Sequence, residues 1–147
     1  MIHDRVKSSY AHEFSDTIDQ AWDTILERQV DGYACFYFLN EVAEGVTYAH
    51  DYDVLRVRAI PADFDHGIPT EWHTLPDLLV HTSPGRGQAL WKVTQDFPLK
   101  EFKPVCRRII AKYGSDPAVC NLSRILRLPG TNHLKAEPKL VTFERLR

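Results

Sequence analysis

The chain has 147 residues, 44% hydrophobic and 26% charged, which suits one globular domain with a proper core rather than a disordered or fibrous chain. No window approaches the roughly 20 apolar residues of a membrane span, and Met1-Ile2-His3-Asp4-Arg5 lacks the layout of a secretion signal, so a cytoplasmic protein without a membrane partner is expected. The net charge of −2 conceals a division: residues 1–91 hold 6 Lys and Arg against 15 Asp and Glu, whereas residues 92–147 hold 12 against 5, a C-terminal part suited to a polyanion.

In chain order, Phe14, Ile18, Ala21, Trp22, Ile25 and Leu26 fall near one face of a helix over 14–29, with Ser15 or Asp16 as its N-cap. After the Asp31-Gly32 turn, the aromatic run Tyr33 to Leu39 reads as a buried strand. Residues 40–53 read as a loop with a short helical turn. Leu55 to Asp65 begins with apolar and charged residues alternating and carries its acids near its end, although Pro61 argues against a regular central strand. Leu78 to Thr82 and Gln88 to Val93 flank a Pro-Gly turn and predict a hairpin. Leu99, Phe102, Val105, Cys106, Ile109 and Ile110 predict a helix over 98–113, starting at Pro98 or at Pro104 and stopped by Gly114. Leu122 to Leu128 predicts a short helix, and Lys139 to Glu144 a final strand. The order implies an α+β fold with a largely antiparallel sheet packed against helices, in one domain over 1–147 with its core over about 33–145. The cysteines Cys35, Cys106 and Cys120 form no CxxC pair and read as reduced packing residues.

The chemistry concentrates in three segments. Asp63 and Asp65, two apart on a strand, project from one face and are suited to hold divalent cations, with Asp116 as a third, distant carboxylate. Thr82 to Gln88 offers hydroxyls, a guanidinium, an amide and the backbone N–H groups of a turn with two glycines, the donors that cradle a triphosphate. Arg124 and Arg127, spaced i and i+3, would share a helical face and offer bidentate phosphate contacts. Lys103, Arg107, Arg108 and Lys112 form a basic helix face able to follow a nucleic-acid backbone. Trp22 and Trp91 read as core, and Trp72 and His73 as exposed contacts.

Together these segments resemble the archaeo-eukaryotic primase superfamily, in particular the RepB-like primase and primase-polymerase catalytic domains of plasmids and phages. Asp63-Phe64-Asp65 matches the first motif, and Ser83 to Trp91 matches S-P-G-x-x-H/Q-x-x-W. Asp116 followed by Arg124, Arg127-Leu128-Pro129-Gly130 and Lys135 matches an acid before R-x-x-R-L-P-G-x-x-x-x-K. The resemblance implies an RRM-like primase core and template-directed nucleotidyl transfer with Mg²⁺ or Mn²⁺. Asp63, Asp65 and Asp116 would hold the cations. Ser83, Arg86 and Gln88, with Arg124 and Arg127, would meet the nucleotide, either NTP or dNTP, and Lys103, Arg107, Arg108 and Lys135 a single-stranded DNA template. A helicase or another replication protein is the expected protein partner. Two positions depart from the pattern: Gln88 stands where many members have histidine, and Asn121 where relatives often have an acid. A catalytically lapsed nucleic-acid or nucleotide-binding module and a metal-dependent nuclease are the alternative readings.

Overall fold

A computed structural model describes residues 2–3, 17–46, 48–135 and 137–147. Strand β1 (Ile2–His3) precedes helix α1 (Ile18–Val30). The predicted N-caps Ser15 and Asp16, and Phe14, lie outside the described residues. Thr17 takes the capping role: its Oγ1 accepts the Gln20 N–H at 3.3 Å, and the Gln20 Oε1 accepts the Thr17 N–H at 3.3 Å. This reciprocal box satisfies two otherwise free backbone donors. Thr17→Ala is therefore expected to cost about 1 kcal/mol, seen as a melting temperature lower by roughly 2–4 °C. An unchanged melt would mean that the helix start is held by something else.

The predicted strand over 33–39 is two short ones, β2 (Tyr33–Ala34), antiparallel to β1, and β3 (Phe36–Phe38). The segment 40–53 holds β4 (Glu41–Val42) and a 3-10 turn at Asp51–Asp53. β5 (Val54–Arg56) pairs with β4, and β6 (Ala59–Phe64) begins three residues later. β7 (Leu78–Ser83) and β8 (Arg86–Lys92) form the predicted hairpin. Ser83 stands opposite Arg86, so the connection is Pro84-Gly85 alone, and Gly85 takes the positive φ of 71° that the third position of a type II turn demands.

Helix α2 (Phe102–Tyr113) follows a 3-10 turn at Leu99–Glu101 and ends on Gly114 at φ 67°, as the sequence implies. Pro104 falls in its first turn, where a missing N–H costs nothing. The predicted helix over 122–128 is instead a strand, β9 (Ile125–Arg127), antiparallel to β3. Its Ile-Leu-Arg run suits an extended partner for the aromatic strand. β10 (Asn132–His133) pairs with β11 (Lys139–Leu140), and β12 (Thr142–Arg145) completes the order.

The main sheet is fully antiparallel in the order β12-β7-β8-β6. One face carries Ile60, Ala62, Phe64, Ala89 and Trp91 and is covered by α2, through Phe102, Cys106 and Ile109. The other face carries Ala59 and Leu90, covered by Leu39 and by Leu126 of β9. Helix α1 packs outside that layer through Ala21 and Ile25 against Cys35 and Leu128. Cys35 and Cys106 are free and buried, as expected of packing residues, and burial pushes their thiols up to about 11 and about 12. Trp72 is not the exposed contact the polar context suggests. It is half-buried and packs on Phe64, Trp91 and Tyr113, with ring centroids 5.8, 5.8 and 5.3 Å away, while His73 is exposed. Among the described residues, no helix is long and apolar enough to cross a membrane.

Candidate active site

The site forms where β6 ends. Alternation along the strand turns Ala59, Pro61 and Asp63 away from α2, and the register sets Asp63 opposite Gln88 and Phe64 opposite Gly87. Asp65, just past the strand, lies with its Oδ1 3.8 Å from Arg86 Nη1. Asp116 arrives from the end of α2, and its backbone N–H donates to the Asp63 carbonyl at 2.8 Å. Its Oδ1 accepts the Ala118 N–H at 2.9 Å, an Asx turn that fixes the carboxylate. The three carboxylates thus come from two segments joined by one backbone bond.

Asp63 is the electrostatic focus. Burial pushes its carboxyl above the usual aspartate range, and the nearby charges of Asp65 and Asp116 push it further. A hydrogen bond from Gln88 Nε2 to Oδ2, at 3.2 Å, and the Arg124 charge pull the other way without cancelling the rise. Gln88 is only 6% exposed, and its Oε1 has no partner among the described residues. The Ser115 hydroxyl, buried beside Asp116, has none either. Among the described residues, no group of three or more His, Cys, Asp or Glu side chains stands close enough together to hold a metal ion as it is. The three carboxylates are nevertheless oxygen donors of the kind hard divalent cations take, and such a charge would offset both the burial of the Asp63 charge and its repulsion by Asp65 and Asp116.

The other predicted site residues divide. Ser83, Arg86 and Gln88 all lie on the hairpin; Arg86 and Gln88 reach Asp65 and Asp63, and Ser83 stands opposite Arg86 on the strand beyond. Gly87, read as a turn glycine, belongs to β8. Arg124 and Arg127 do not share a helical face, because a strand turns residues three apart to opposite sides. The Arg124 charge acts on Asp63, its Nη2 donates to the Ala118 carbonyl, and its buried Nε has no partner among the described residues. Arg127 is buried, with its guanidinium 4.9 Å from the centre of the Phe36 ring. Lys103, Arg107 and Arg108 are exposed on α2, in the layer behind the sheet face that bears Asp63, and Lys103 pairs with Asp51 at 3.1 Å. Lys135 is exposed just after His133, whose Nδ1 lies 3.1 Å from the Thr82 carbonyl, so that segment is tied to the hairpin. The sequence marks Ser115 only as the neighbour of Asp116, without a role of its own, and His133 not at all beyond its nearness to the R-L-P-G segment.

The fold is shared with the AEP domain of the Cyanophage S-2L primase-polymerase, at a TM-score of 0.72 and 18% sequence identity over 85% of this chain and 69% of that one. No curated protein matches the chain. The family model of the RepB DNA-primase N-terminal domain matches residues 70–145, from the hairpin through Asp116 to β12, and with just over half of its length so matched the chain belongs to that family.

Proposed function

We propose that the chain is a metal-dependent, template-directed nucleotidyltransferase, a DNA primase or primase-polymerase acting in the replication of a plasmid, phage or other mobile element. The observation that carries this reading is the convergence of Asp63, Asp65 and Asp116 with Arg124 beside the Pro84-Gly85 hairpin, in a chain of the RepB primase family.

Asp63, Asp65 and Asp116 would hold Mg²⁺ or Mn²⁺, which when bound neutralises phosphate charge and favours ionisation of the attacking hydroxyl. Ser83 and Arg86 are set on the hairpin to meet the phosphates of an incoming NTP or dNTP. The Arg86 guanidinium sits 3.8 Å from Asp65 and is exposed enough to swing to an anion. Arg124 brings a permanent positive charge to the same group of acids. Gln88 acts differently from a phosphate ligand: its amide donates to Asp63 and holds that carboxylate in place. The growing 3′-hydroxyl would attack the α-phosphorus, and pyrophosphate would leave.

A second reading, a lapsed nucleic-acid or nucleotide-binding module, draws on Gln88, which cannot carry the charge of the histidine common at its position. Incorporation of labelled NTPs and dNTPs on single-stranded DNA, with and without primer and in Mg²⁺ or Mn²⁺, separates the two. The polymerase reading expects metal-dependent product that falls on the order of 10²-fold in Arg124→Ala. No product from folded protein supports the binding module, and release of mononucleotides from DNA without added nucleotide supports a nuclease.

A further inference from the structure

Tyr48, His50 and Tyr52 stand two residues apart, the last of them in the 3-10 turn Asp51–Asp53. The His50 and Tyr52 rings are stacked, 5.1 Å between centroids at 21°, and Tyr48 meets His50 edge-on at 5.2 Å. Tyr48 is 70% exposed and Tyr52 82%, and Leu55 close by is 60% exposed. The outer faces of Tyr48 and Tyr52 are thus left open to water, with His50 between the two rings.

The segment is held firmly. Asp53 Oδ2 accepts the His50 N–H at 2.7 Å, and Asp51 Oδ1 accepts both the N–H and the hydroxyl of Ser123 at 3.0 Å. Asp51 Oδ2 pairs with Lys103 Nζ at 3.1 Å. Both acids of the turn are therefore occupied within the fold. Cations and acids both stand in this part of the chain: Arg56 and Arg58 share the carboxylate of Glu41, at 2.7 and 3.4 Å, Glu44 is exposed, and Arg107 and Arg108 are exposed on α2 beyond Lys103. Ser123, to which the turn is tied, directly precedes Arg124 of the candidate active site.

We propose that Tyr48, His50 and Tyr52 form a stacking platform for the bases of a single-stranded nucleic acid, with Arg107, one helical turn along α2 from Lys103, meeting its phosphates. Aromatic faces beside cationic side chains bind single strands without reading sequence, because every base offers a π-face. The platform rests on nucleic acid being the partner, as in the proposed function, and not on the chemistry performed at Asp63.

The test is the affinity of the whole chain for a fluorescein-labelled oligothymidylate, read by anisotropy. Tyr48→Ala with Tyr52→Ala is expected to weaken binding about tenfold per ring, and Tyr48→Phe with Tyr52→Phe to keep it. Both rings are exposed, so the far-ultraviolet circular dichroism of the variants should match the wild type. Photocrosslinking from 5-iodouracil-substituted DNA is expected to mark Tyr48 or Tyr52. Wild-type affinity in the double alanine variant, or no binding by the wild type, overturns the platform; the first result leaves the rings to a protein partner. Nucleotide incorporation is measured separately, on the wild type. A protein that binds DNA through these rings but never incorporates nucleotide overturns the polymerase reading alone.

Discussion

Asp63→Asn is expected to lower nucleotide incorporation by on the order of 10²–10³-fold while leaving the metal-free protein at least as stable as the wild type. A carboxyl lifted by burial and by neighbouring acids favours the fold only while it is protonated, below its unfolded pKa, and that contribution is lost as pH rises through the raised folded value. At neutral pH the ionised Asp63 therefore weakens the native state. Asparagine removes that charge and keeps an oxygen for the Gln88 amide. The variant should melt above the wild type at pH 7, and the gap should close toward pH 3, where Asp63 is protonated. Added Mg²⁺ or Mn²⁺ should raise the wild-type melt more than that of the variant. Wild-type incorporation by Asp63→Asn would remove this residue from the catalytic group, and a lower melt at pH 7 would contradict the electrostatic account. Metal binding should weaken as pH drops, because protons compete with the cation for the Asp63 carboxylate.

Gly87→Ala should produce the largest loss of stability. A Cβ there would lie 2.5 Å from the Val80 carbonyl oxygen and 2.8 Å from Ile68 Cδ1. Ile68 can swing its terminal methyl aside, but the Val80 carbonyl belongs to β7 and moves only with the hairpin. Overpacking of this kind costs about 1–3 kcal/mol, or roughly 2–4 °C per kcal/mol in melting temperature. The displacement would also shift the adjacent Gln88 from Asp63. Gly85→Ala is the control: nothing lies within 4 Å of a Cβ at that position, so only its φ of 71° opposes the change, at about 1 kcal/mol. Equal melts for the two variants would show that space at Gly87 is not limiting.

These two glycines illustrate what the sequence can carry. The Pro-Gly pair announces a turn because its signal is local, and the hairpin lies where it was expected. That Gly87 is needed for a close approach between strands depends on Ile68 and Val80, which no pattern within the turn reveals. The acids at the end of β6 were likewise legible from their two-residue spacing. The error over Leu122 to Leu128 has the same origin in reverse: apolar and basic residues three apart over so short a run fit a helix or a strand. The choice is made by Phe36 to Phe38, about ninety residues away in the chain. Tyr48, His50 and Tyr52 went unread because a polar, glycine-containing stretch suggests a loop, although their alternation was present. Arg124 was selected for its charge, but its nearness to Asp63 is a product of tertiary packing alone.

The bond between the Asp116 amide and the Asp63 carbonyl bears on more than the site. β6 is an edge of its sheet, and an edge strand with free backbone groups invites a second chain to pair with it. Residues two apart turn their backbone groups the same way, so Pro61, like Asp63, presents its main-chain nitrogen outward, where it has no hydrogen to donate. With the carbonyl of Asp63 already engaged, neither position offers an added strand both of its backbone groups. The contact that brings the third carboxylate into place thus also makes that edge a poorer template for a second chain.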